Sequence, residues 1–142
     1  MYSILFSRIR EELGLCYNVG AGVGPITYPD CVAGQIYGNL SPNNVKLFIR
    51  ECEKELVKIV KNGLPNRIFE CAKIDAVAGL LRSTETSIGM AKKMLLPLLF
   101  DDNRNFNAIV KQLQSVTLED CNEVARQILC RQHNWAIMLP KK

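Results

Sequence analysis

The stretch from Ser7 to Gly22, SRIREELGLCYNVGAG, changes its period in the middle, and that change decides the fold. Before it, Ile4, Leu5, Ile9 and Leu13 recur at helical spacing, and Gly14 supplies a C-terminal stop. After it, Tyr17, Val19, Ala21 and Val23 alternate with Asn18, Gly20, Gly22 and Gly24, which is strand spacing with a small second face. Arg10 stands on the last helical turn and Tyr17 at the start of the strand, seven residues apart.

Working outward, Pro25 to Asp30 carries two prolines and an aspartate and reads as a loop. Cys31 to Leu40 follows as a second strand, which makes a hairpin. Ser41-Pro42 is a helix start, a hydroxyl cap with proline at the first helical position. Val45, Phe48, Ile49, Cys52, Leu56, Ile59 and Val60 form an apolar stripe that ends at Asn62-Gly63. Leu64-Pro65 opens another helix, which Ser83 to Ser87 bends or breaks before Ile88 to Phe100 resumes. Phe106 to Leu113 is a shorter helix, and Thr117 caps a last one from Leu118 to Cys130. Trp135 to Leu139 reads as a final apolar strand. The order predicts an α+β fold: a small antiparallel sheet of Cys16–Val23, Val32–Leu40 and Trp135–Leu139, with the helices packed on one face.

Composition narrows the function classes. The chain has 142 residues, 48% apolar and 23% charged, which suits one domain of ordinary globular make-up. The net charge of +4 is dispersed among Glu residues and no basic run reaches five, so nucleic acid is not the expected partner. The longest apolar run, Met94 to Phe100, contains Pro97 and falls well short of the roughly 18 residues of a membrane span. Six cysteines at 16, 31, 52, 71, 121 and 130 include no Cys-x-x-Cys pair. They read as reduced thiols, Cys52, Cys71 and Cys121 on apolar helix positions, which favours a reducing compartment. His133 is the one histidine and reads as a loop residue; a zinc site built on it is not expected.

Taken in order, these residues resemble the second half-domain of the pitrilysin/insulinase family of zinc metallopeptidases, with a likeness to mitochondrial processing peptidase. The resemblance rests on Ser7-Arg8, Arg10-Glu11 and Gly14-Leu15-x-Tyr17, then on Asn62-Gly63-Leu64-Pro65 and Ala72-Lys73. Arg82-Ser83-x-Glu85-Thr86 and Val116-Thr117-x-Glu119-Asp120 extend it over nearly the whole chain. In that family two homologous α+β halves close over a peptide, and the first half holds zinc through an inverted His-x-x-Glu-His motif. One histidine leaves no such motif here, so the resemblance is to the non-zinc half. It also implies a strand and a helix before Met1, so residues 1–142 read as a single α+β domain, the substrate-binding half of a larger protein, with an open sheet edge.

The resemblance further implies roles for Arg10 and Tyr17. Peptide hydrolysis at zinc needs extra hydrogen-bond donors where oxyanion charge develops. A tyrosine hydroxyl suits that task, and a guanidinium fork can hold a peptide carbonyl or carboxylate. Tyr17 and Arg10 are therefore the catalytic and substrate-binding candidates, with no metal ligand in this chain. Zinc is expected in a homologous partner half or subunit, in a homo- or hetero-dimer acting on a peptide, and the isolated chain is expected to cleave nothing. The residues alone also allow plainer roles. Arg10 is favourable near a helix C-terminus by dipole interaction, Arg8 rivals it, and Tyr17 is ordinary strand chemistry. The alternative reading is a non-catalytic structural or regulatory member of the same family.

Overall fold

The computed structural model describes residues 3–23, 34–99, 105–131 and 133–139. The elements run in order as a π-helix (Phe6–Glu12), β1 (Cys16–Val23), β2 (Gly34–Leu40) and a 3-10 turn (Pro42–Asn44). Five α-helices follow: α1 (Val45–Asn62), α2 (Asn66–Arg82), α3 (Ser87–Leu99), α4 (Phe106–Ser115) and α5 (Leu118–Leu129). The fold is α+β, as the change of period predicts. Two compact units divide it: Met1–Leu64 with Asn122–Lys142, and Pro65–Cys121.

In the first unit, β1 and β2 form an antiparallel pair, with Val19 opposite Gly38 and Ala21 opposite Ile36. The π-helix and α1 cover one face of this pair. Their shared core is Leu5, Ile9, Leu15, Cys16, Val19, Phe48 and Cys52, with Ile9 and Cys52 fully buried. Gly38 is required by this packing. A Cβ there would lie 2.8 Å from the Phe48 ring and 3.1 Å from the Asn18 carbonyl oxygen.

The helix boundaries follow the sequence signals. Ser41 has extended backbone and Pro42 opens the turn, though the Ser41 side chain makes no capping bond. α1 stops where Gly63 takes φ 75°, and the next amide, Leu64 N–H, donates to Asn122 Oδ1 at 2.8 Å. In the second unit α2 packs on α4, and the Lys73 ammonium donates to the Val116 carbonyl at 2.8 Å. There too, Thr117 caps α5 reciprocally: Asp120 N–H donates to Thr117 Oγ1 at 3.2 Å, and Thr117 N–H donates to Asp120 Oδ2 at 2.8 Å.

One predicted element is corrected. Trp135 to Leu139 is not a strand, and the sheet among the described residues has two strands only. The segment is held by a side chain instead of a ladder. The Trp135 ring meets Phe48 edge-on at 6.5 Å and 83°, and its Nε1–H donates to Glu53 Oε1 at 3.3 Å. Ile137, Met138 and Leu139 are exposed. An apolar run of five residues does not by itself say what it pairs with. The predicted start of the second strand, residues 31–33, and the predicted loop at 25–30 lie outside the described residues.

Candidate functional site

The helix-to-strand corner is built from three local departures from regular geometry. The first is the π-helix itself, whose wider winding shows in Leu13 N–H donating to the Arg8 carbonyl at 3.2 Å. The second is Gly14, at φ 59°, a left-handed turn that a side-chain-bearing residue adopts with strain. The third is a β-bulge. Cys16 pairs with Leu40 and Asn18 with Asn39, so two steps on β1 oppose one on β2, and Tyr17 is the extra residue.

The bulge corrects the expected alternation. Tyr17 does not share a face with Val19: Tyr17 is 84% exposed while Val19 is buried. Inserting one residue lets Cys16 and Val19 both face the core, three positions apart, and turns Tyr17 outward. Arg10, also exposed, stacks its guanidinium 4.6 Å from the Phe6 ring centroid and 5.7 Å from that of Tyr17. The two candidate residues thus meet at one corner. Beside them lies an open hollow of about 470 Å³ whose lining includes Gly14, Tyr17, Asn39, Ser41 and Asn44. Asn44 Nδ2 donates to the Leu15 carbonyl at 3.0 Å and ties the first turn before α1 to this corner. Beneath it the Cys16 thiol is pushed up by burial, with the nearby Arg10 charge opposing.

Arg8 is placed differently. Its guanidinium bonds Glu12 at 2.6 Å and reaches Glu51 at 3.5 Å and Glu55 at 3.9 Å on α1. Glu51 also pairs with Lys54, and Glu55 with Lys58 at 2.5 Å. The Arg8 guanidinium is held above its ordinary value by its bond to Glu12. The Glu51 carboxyl is held below its own by the bond to Lys54, with burial opposing. Arg8 is therefore committed to an ion cluster with Glu12, Glu51 and Glu55, and Arg10 is the arginine that faces Tyr17. Sequence reasoning missed Glu51 and Glu55, both buried. The available signal was their spacing of four along α1, on the flank of the apolar stripe, which puts two carboxylates on one face.

Among the described residues no three His, Cys, Asp or Glu side chains converge. His133 is half-buried in another hollow of about 350 Å³ with Glu53, Lys61, Cys130 and Arg131 near it, and its Nε2 has no hydrogen-bond partner among the described residues. No described helix is long and apolar enough to cross a membrane.

A sequence model of the family described as the peptidase M16 inactive domain matches residues 1–74, the part of the chain that holds the corner and α1. The chain is 27% identical over 141 residues to the uncharacterized zinc protease YmxG of Bacillus subtilis, covering 99% of this chain and 34% of that protein. It is 27% identical over 139 residues to an uncharacterized zinc protease of Mycobacterium tuberculosis, covering 97% of this chain and 31% of that protein. A Streptomyces coelicolor protein of the same description is 26% identical over 149 residues, covering 100% of this chain and 31% of that protein. The chain thus spans about a third of the length of the relatives it matches. On the match over more than half its length, the chain belongs to the peptidase M16 inactive-domain family, the C-terminal, non-zinc half-domain of pitrilysin/insulinase-type zinc peptidases.

Proposed function

We propose that this domain is the substrate-binding, catalysis-completing half of a zinc-dependent endopeptidase, with the metal held by a homologous half-domain or subunit. The observation that carries the reading is the meeting of Arg10 and Tyr17. A guanidinium lies 5.7 Å from the ring of a tyrosine that a bulge has turned outward, beside an open hollow. Bulges and π-turns recur where a side chain must be aimed at a ligand.

Tyr17 keeps a free hydroxyl edge at this corner, suited to donate a hydrogen bond to the oxyanion of the tetrahedral intermediate. One such donor is worth on the order of 3 kcal/mol. The Arg10 fork has five N–H donors and its planar face rests on two aromatic rings, so its edge can take a peptide carbonyl or carboxylate. The stack limits the conformations Arg10 must give up on binding, which favours affinity. The zinc-bearing half supplies the water-activating chemistry; this chain binds and orients the peptide. The names of the relatives, all zinc proteases, support the same assignment.

The test is reconstitution. The chain mixed with a zinc-bearing half, or within one polypeptide, hydrolyses a fluorogenic peptide, and neither half does so alone. Full activity from the zinc-bearing half by itself contradicts the proposal.

A further inference from the structure

Arg8 and Arg10 are two residues apart on the π-helix and face different partners. Residues at that spacing do not share a helix face. Arg10 turns outward to Phe6 and Tyr17. Arg8 turns toward α1 and the carboxylates of Glu51 and Glu55. These carboxylates are 5% and 7% exposed, on a helix face that otherwise buries Phe48, Cys52 and Leu56.

Two buried carboxylates are an expensive way to hold two helices together. Apolar side chains of similar size would do it at least as well, because desolvating charges offsets much of their attraction. What an ionic cluster adds is direction. The Arg8 fork meets carboxylates from two elements at once, Glu12 on the π-helix and Glu51 and Glu55 on α1, and Lys54 and Lys58 pair with the two α1 carboxylates. That arrangement resists rotation of the π-helix about its own axis. Rotation is the motion that would carry Arg10 off the Tyr17 ring, because Leu5 and Ile9 are greasy contacts that tolerate sliding.

We propose that Glu51 and Glu55, acting through Arg8, are positioning residues that hold the Arg10 guanidinium over Tyr17. The proposal rests on the reading of Arg10 and Tyr17 as the substrate-facing pair, and extends it to three residues that touch no substrate. Arg8 is the hub: Glu12 holds it by a hydrogen bond of 2.6 Å along the π-helix, and the two α1 carboxylates attract it from 3.5 and 3.9 Å.

The experiment has two readouts that separate the clamp from the reading beneath it. The first needs no activity. In the full chain the Arg10 side-chain protons lie against two aromatic rings, so nuclear magnetic resonance finds them displaced upfield. In Arg8→Met and in the double variant Glu51→Gln/Glu55→Gln, with folding confirmed by circular dichroism, that displacement falls by half or more. Arg8→Lys, which keeps the charge and loses the fork, gives an intermediate value. Folded variants that keep the wild-type displacement overturn the proposal. If Arg8→Met and the double variant do not fold, Arg8→Lys decides it: an unchanged Arg10 signal there overturns the clamp.

The second readout is peptide hydrolysis with the zinc-bearing half present. Arg8→Met raises KM on the order of tenfold, with kcat little changed, as expected when ground-state binding is lost. Adding it to Arg10→Ala raises KM no further, because both changes remove one interaction. Independent, additive effects on KM overturn the proposal. An Arg10 signal lost with KM unchanged supports the clamp and overturns the substrate-facing reading instead.

Discussion

The Arg10 guanidinium lies 5.7 Å from the centroid of the Tyr17 ring, although a glycine turn and a change from helix to strand separate the two residues in sequence. The contact forms where Gly14 takes a left-handed conformation between helix and strand and the bulge at Tyr17 lifts that ring out of the strand's alternation. Arg8, a turn-mate of Arg10, pairs with carboxylates instead.

Gly38→Ala is expected to destabilise the first unit. Its Cβ would sit 2.8 Å from the Phe48 ring, inside van der Waals contact. Overpacking of this kind costs about 1–3 kcal/mol, read as a lower urea midpoint. Phe48→Leu in the same chain should return part of the loss. A Gly38→Ala protein as stable as wild type would show that this packing is looser than the geometry implies.

Asn122 supplies the acceptor for the Leu64 amide, just after the left-handed Gly63. Asn122→Ala leaves that donor without its partner, at a cost of about 1–3 kcal/mol. Asn122→Asp retains an acceptor and should cost less. Chemical denaturation of the three proteins ranks them; equal losses for Ala and Asp contradict the assignment.

How much of this was legible beforehand depends on what each residue reports. Gly14, Gly63, Pro42 and Thr117 act through their own backbone or first neighbours, so local signals place the ends of the elements they bound, although not the π winding before Gly14. Tyr17 reads as part of an alternating face with Val19 in sequence, because a bulge is one extra residue and leaves no mark in composition. Trp135 reads as strand in sequence because its ring's partner, Phe48, is far away along the chain. The pairing of Arg10 with Tyr17 was reached through family resemblance; the commitment of Arg8 to Glu51 and Glu55 is a tertiary choice that either arginine's sequence position allowed.

Two carboxylates are expected to contribute to the loss of stability in acid. Glu51 is held below its ordinary value of 4.5 by Lys54, and Asp120 below its ordinary 3.8 by the Thr117 hydroxyl and amide. Each depressed group binds more protons when unfolded than when folded. Its contribution is therefore present above its ordinary value and lost as pH falls through the lower folded one. Urea midpoints should drop on going from neutral pH to about 3, and Glu51→Gln should flatten the upper part of that drop. A parallel profile for the variant contradicts the role of Glu51.

The thiols give the alkaline limb. Burial pushes Cys52 up to about 11 from an ordinary 9.0, so it stays neutral in the folded chain. Its contribution is complete below 9.0 and is lost as pH rises toward about 11. Under native conditions a thiol reagent should modify exposed Cys130 quickly and reach Cys52 only on unfolding. Fast native labelling of Cys52, located by mass spectrometry, contradicts the packing of the first unit's core.

The most direct test of the central claim is the steady-state kinetics of Tyr17→Phe in the assembled peptidase. This variant keeps the ring under Arg10 and removes only the hydroxyl. If that hydroxyl stabilises the developing oxyanion, kcat falls tenfold to a thousandfold, on the order seen for single oxyanion donors, while KM changes little. A correctly folded Tyr17→Phe enzyme with wild-type kcat would contradict the claim and leave the Arg10–Tyr17 contact as packing alone.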